Sequence, residues 1–213
     1  MRFSLRLVPL IAVILGTASC ATYCIDVTGY LDPARPSSLM PGKTVYIMSN
    51  PKADNPFLDK EIALKMANLL TQKGYRVSPS EFADFHLVFT YGTDRGSLRT
   101  ESIRRPQRIR VYHPDLETWT YETVDSYEPY SVQYYTHSLH VRVIDARRFG
   151  DGVQDKVVWV ADTVSEEQSS DLRDLVNYLL VATFEYFGQD TGKAVRVRLA
   201  PGDFRVQRLK RVW

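Results

Sequence analysis

The chain has 213 residues, of which 44% are hydrophobic and 12% aromatic, enough for one sizeable core and too many for a disordered chain. Lysine and arginine number 27 against 25 acids, and the two-residue excess equals Arg2 and Arg6, at the extreme amino terminus. The rest is electrically neutral, which argues against a general binder of polyanions such as nucleic acid.

The opening "MRFSLRLVPLIAVILG" combines Arg2 and Arg6 with an apolar run from Leu7 to Leu15. A spanning helix needs roughly 20 apolar residues; this run is shorter and holds Pro9, so it reads as a secretory signal. "Thr17-Ala18-Ser19-Cys20" then resembles the lipobox of bacterial lipoproteins, with Thr17 where Leu is usual. That resemblance implies a signal peptide over 1–19 and an acylated Cys20 as the first mature residue. Cys24 is then a lone thiol. The competing reading is an ordinary cleaved signal, in which Cys20 and Cys24 are free to pair across a small loop. Ala21, in place of the Asp that retains lipoproteins at the inner membrane, implies the periplasmic face of the outer membrane, with the inner membrane as the alternative.

Residues 20–42 hold three prolines and two glycines without a sustained period and read as a lipidated cysteine followed by a flexible tether. A single domain over 43–213 follows. Lys43 to Asn50 is a first strand. Asn55 caps a helix with Pro56 at its first position; Leu58, Ile62, Met66, Leu69 and Leu70 form its apolar stripe, and Gly74 ends it. "YRVSP" and "DFHLVFTYG" read as strands, the second with Phe85, Leu87, Phe89 and Tyr91 on one face. An arginine-rich loop follows. Next comes a hairpin that turns at His113-Pro114-Asp115, then a tyrosine-bearing loop. "HSLHVRVIDARR" and "KVVWVADTV" form the clearest hairpin, turning through "FGDGVQD". A second helix, capped by Ser169 or Ser170, carries Leu172, Leu175, Val176, Leu179, Leu180, Phe184 and Phe187, and "AVRVRLAP" is a last strand within a basic tail, Lys193 to Trp213, opposed only by Asp203. The fold class is α+β: a mainly antiparallel sheet with two amphipathic helices packed on one face.

Catalytic and metal patterns are missing from the sequence. His137 and His140 are three apart on a strand, so they face opposite sides and cannot share an ion; they read as surface or edge residues. Asp145 and Asp162 fall too far apart along their hairpin to share a proton. No metal, cofactor or catalytic residue is assigned, and the chain reads as no enzyme. Two features can bind. One is the tyrosine cluster, with Tyr127, Tyr130, Tyr134 and Tyr135 at its centre, which offers large contact area with polar tips. The other is the arginine-rich stretch with Arg99, Arg104, Arg105 and Arg108, whose forked donors suit anionic lipid heads or an acidic envelope protein. The plainer reading pairs these arginines with the acidic stretch around Asp125 and Glu128.

The order of parts resembles the bacterial envelope lipoproteins grouped as domain of unknown function 4136. The matching positions are Leu70, Lys73, Gly74, Tyr75, Ala83, Asp84, Val88, Tyr91, Val141, Val143, Asp145, Val158 and Trp159. The resemblance implies a small α+β envelope domain and brings no assigned activity. The expectation is therefore a membrane-anchored, periplasm-facing lipoprotein acting as a non-catalytic binding or structural module. An accessory lipoprotein of an envelope transport or assembly complex, and a periplasmic hydrolase with an unrecognised site, are the alternatives.

Overall fold

The computed structural model describes residues 22–34, 39–50, 53–146 and 157–212. The signal segment, Cys20 and the turn expected at 149–155 lie outside the described residues. In chain order the elements are β1 (Tyr23–Leu31), β2 (Thr44–Met48), α1 (Pro56–Gln72), β3 (Arg76–Val77), β4 (Phe85–Thr93), β5 (Ser97–His113), β6 (Thr118–Asp145), β7 (Val157–Glu167), α2 (Leu172–Glu185), β8 (Val195–Leu199) and α3 (Phe204–Lys210).

Among the described residues, seven strands lie in the order β3-β2-β4-β6-β7-β1-β8, and β5 pairs only with β6. β2 runs parallel to β3 and β4, and every other pairing is antiparallel. The period-two alternation decides which side is buried. Ile25 and Val27 of β1, Leu87 and Phe89 of β4, Leu139, Val141 and Val143 of β6, and Trp159 and Ala161 of β7 are all buried in one core cluster. Trp159 donates its indole N–H to the Gln189 carbonyl at 3.0 Å and packs against Phe187 at 4.8 Å between ring centres. The opposite face is polar, with Asp26 gripped by Arg196 at 2.8 Å through two parallel bonds.

Each helix begins where its capping chemistry dictates. Asn55 accepts from the Leu58 amide at 3.0 Å with Pro56 behind it. Gly74 adopts φ 84°, the left-handed geometry that closes α1. α2 is capped by Asp171, which accepts from the amides of Arg173 and Asp174, rather than by the expected serines. Its residues from Leu175 to Phe184 are buried without exception. The expected one-sided helix is thus enclosed, because the basic tail folds into α3, whose Val206 and Leu209 are buried in the same core. Among the described residues there are three α-helices, not two.

The expected tether is also corrected. Tyr23–Leu31 is a strand inside the sheet, hydrogen-bonded to β7 on one side and β8 on the other. Cys24 is exposed on that strand. Its pairing partners lie more than a hundred residues downstream, so nothing local distinguishes it from a linker.

Candidate interaction arm

The arginine-rich and tyrosine-bearing stretches, both expected to be loops, are the two strands of one long hairpin. β5 pairs with the first part of β6 from Ser97↔Tyr134 to His113↔Thr118, and its 17 residues are all matched. At about 3.3 Å per residue this ribbon extends roughly 55 Å. The turn falls where the sequence placed it, over Pro114–Leu116, and closes with Glu117 in the left-handed region at φ 46°. At the base, Gly96 has φ 77°, and a Cβ there would sit 2.9 Å from the Tyr134 carbonyl oxygen. The ribbon's start therefore needs glycine twice over, for conformation and for space.

Residues directly across the ribbon share a face. One face is internally paired. Arg99 clamps Glu166 of β7 through two bonds, one of 2.8 Å, and Arg105 meets Glu128 at 2.8 Å. His113 lies 3.1 Å from Glu122. Glu101 accepts from the hydroxyls of Tyr134 and Tyr130, and these bonds hold its carboxyl below the usual range while pushing the Tyr130 phenol up. The other face carries Arg104, Arg108, Arg110 and Tyr112 on β5, with Trp119, Tyr121, Asp125 and Tyr127 on β6. Arg104 pairs with Asp125 at 2.7 Å. The Arg108 guanidinium lies 4.9 Å from the centre of the Tyr121 ring, that of Arg110 4.8 Å from the Trp119 ring, and Trp119 packs against Tyr112 at 5.1 Å. The result is an exposed ladder of arginines and aromatic rings near the tip.

Prolines control the ribbon's edges. Pro106 lies opposite Asp125 and Pro129 opposite Ser102. Proline has no N–H to donate, so both belong to rungs whose amides point away from the partner strand. Each therefore removes a donor from one free edge of the ribbon.

Of the residues singled out in the sequence, the hairpin gathers seven and then divides them. Arg99, Arg105, Tyr130 and Tyr134 fall on the paired face; Arg104, Arg108 and Tyr127 fall on the arginine–aromatic face. Tyr135 sits at the base, opposite Glu167. The internal pairing of basic with acidic segments is present at Arg104–Asp125 and Arg105–Glu128. Arg110, from the same arginine-rich stretch, falls on the ladder as well. Trp119 belongs with it and was not singled out as a binding residue; its alternation along the strand is the signal that marks it.

Beside the arm's base lies a cleft of about 580 Å³ lined by Tyr23, Tyr134, Glu167, Asp171 and Asp174. Burial raises the Glu167 carboxyl above its ordinary range, partly opposed by a bond from Ser165. His137 is buried, which corrects its reading as a surface or edge residue: its Nε2 donates to the Ser169 carbonyl and its Nδ1 accepts from the Thr93 hydroxyl, both at 2.8 Å. His140 faces the opposite, polar side of the sheet, between Asp162 and Arg142. Asp162 lies opposite His140 and Asp145 opposite Phe85, so the two carboxylates are well separated.

These features define an α+β domain with helices on one sheet face and a two-stranded arm projecting from its end. No family model matches the chain, and neither does any curated protein sequence. Solved structures with similar backbones include a PDZ domain protein from Parabacteroides distasonis, at TM-score 0.46 and 16% identity over 83% of this chain, which spans 38% of that one. A DUF4136 family protein from Bacteroides thetaiotaomicron, of the family that the sequence resembles, gives TM-score 0.44 and 13% identity over 75% of this chain and 93% of that one. The PelC dodecamer from Paraburkholderia phytofirmans gives 0.39 and 17% over 74% and 93%.

Proposed function

We propose that this chain is a lipid-anchored protein of the cell envelope, held at the periplasmic face of the outer membrane through Cys20, and that it works as a non-catalytic binding module whose arm makes the contact. The observation that supports this reading is the β5–β6 ribbon. A two-stranded hairpin is marginal by itself, yet this one is carried 17 residues outward with large hydrophobic side chains left in solvent: Leu116 is 71% exposed, Tyr121 62% and Trp119 54%. A fold that gains nothing for its own core from such a segment keeps it for contact with something else.

Two measurements test the proposal. Metabolic labelling with a fatty-acid analogue marks the parent and not Cys20→Ala; an unlabelled parent removes the anchor. A photo-crosslinking residue at position 121 gives adducts in cells, while one at the exposed helical position 64 does not. Equal yields at the two sites remove the arm as the binding element.

A further inference from the structure

We propose that the arginine–aromatic face of the arm lies flat on an anionic phospholipid surface beside the anchor. The direction of the arm leads there. Ile25 of β1 and His137 of β6 both lie opposite Ser165 of β7, so β1 begins at the sheet end from which the arm departs. Only β7 stands between β1 and β6, a separation of about 10 Å at the usual strand spacing. Tyr23 is three positions after Cys20, and three residues reach at most about 10 Å whatever path they take. A lipid on Cys20 therefore brings the bilayer surface to the root of the arm. This orientation rests on the anchor reading of the preceding section.

The chemistry of the ribbon then excludes insertion and favours lying at the interface. Among the described residues no further strand pairs with either outer edge of the ribbon, and open backbone edges are not tolerated in hydrocarbon. Neither face is apolar enough to line a membrane-spanning barrel: one holds Arg105, Glu122 and Glu128, the other Arg104, Arg108 and Arg110. The second face matches a headgroup layer. Tyr112, Trp119, Tyr121 and Tyr127 are rings of the kind that settle at the membrane–water boundary, and its three arginines meet a single acid, Asp125. The opposite face has its charges already paired, so it gains less from anionic lipid.

Flotation of the chain from residue 20 onward with vesicles tests this. With Cys20→Ala it carries neither the apolar leader nor an acyl group, so its flotation reads the arm alone, while the mass of Cys20 in the parent purified from cells reads the anchor; the two ideas fail separately. The Cys20→Ala chain is expected to float with phosphatidylglycerol–phosphatidylcholine vesicles and not with phosphatidylcholine alone. Adding Arg108→Glu and Arg110→Glu should weaken binding about tenfold or more, and Trp119→Ser should weaken it with the charge intact. All three positions are exposed, so an unchanged melting curve certifies the fold. Equal flotation on both vesicle types, or no loss in the double glutamate variant, overturns the proposal. So does an arm-dependent oligomer that forms without vesicle binding, because the occupant is then a second copy of the chain.

Discussion

Asp84 ties two strands together at the edge of the core. Its carboxylate accepts from the Thr44 amide and hydroxyl, each at 2.9 Å, with Lys43 at 3.6 Å, and these bonds hold its carboxyl below the usual aspartate range. Because the folded value is depressed, its contribution is complete above the unfolded aspartate range and disappears as pH falls through the folded value. Asp84→Ala should therefore cost about 1.5–3 kcal/mol at neutral pH, and denaturant titration should show the gap to the parent closing in acid. A gap that is equal at both pH values contradicts the assignment. Glu167 has the opposite sign. Burial raises it, so its ionised form opposes folding once pH rises through the folded value. Glu167→Gln should stabilise the protein at neutral pH and make no difference below the ordinary glutamate range. In the α1–α2 contact, Lys65 bonds Glu61 and, at 2.7 Å, Asn177, while Arg173 bonds the other Glu61 oxygen at 3.0 Å. Both Lys65 and Glu61 are buried. Glu61→Leu strands the lysine charge in the interior and should cost about 3–5 kcal/mol by chemical denaturation. Lys65→Met should cost less, since Glu61 keeps Arg173.

Among the elements, the arm is separable from the core. Every residue from Ser97 to Thr136 lies outside the buried hydrophobic cluster. Replacing 100–131 by an Asn-Gly turn should leave the melting temperature within about 5 °C of the parent. A collapse of the transition would show that the ribbon stabilises the sheet after all. Pro106 and Pro129 make a second prediction at this scale. Converting both to valine restores an outward-facing donor on each edge, and light scattering should then rise with protein concentration. The main sheet is guarded differently: β3 is two residues long, and β8 carries Arg196 and Arg198 on its exposed positions. How far these elements could be read from sequence depended on range. α1, with its Asn55 cap and Gly74 stop, and the β6–β7 hairpin were legible because their signals are contiguous. β1 was not, since "YCIDVTGYL" alternates correctly but its partners are far away. α3 was read only as a basic tail, because seven residues with two buried positions give too little period to identify a helix.

At the scale of the whole molecule, the arm leaves from the sheet end at which β1 begins, and the proposed anchor on Cys20 would turn that end toward a bilayer. Trypsin should cut the free Cys20→Ala chain first at the exposed Arg104, Arg108 and Arg110, leaving the helix-covered domain intact. Anionic vesicles should protect those sites, as read by mass spectrometry of the fragments. The sequence by itself determined the neutral composition, the α+β class and the residue types of the arm, because these depend on counts and on short-range periodicity. It also indicated that Arg99–Arg110 could meet the acids around Asp125. Only the tertiary structure decided that the two stretches form one ribbon, which residue falls on which face, and that the ribbon leaves from the end where β1 begins. Those properties follow from strand register and sheet order, and both are set by pairings between distant segments that no local pattern encodes.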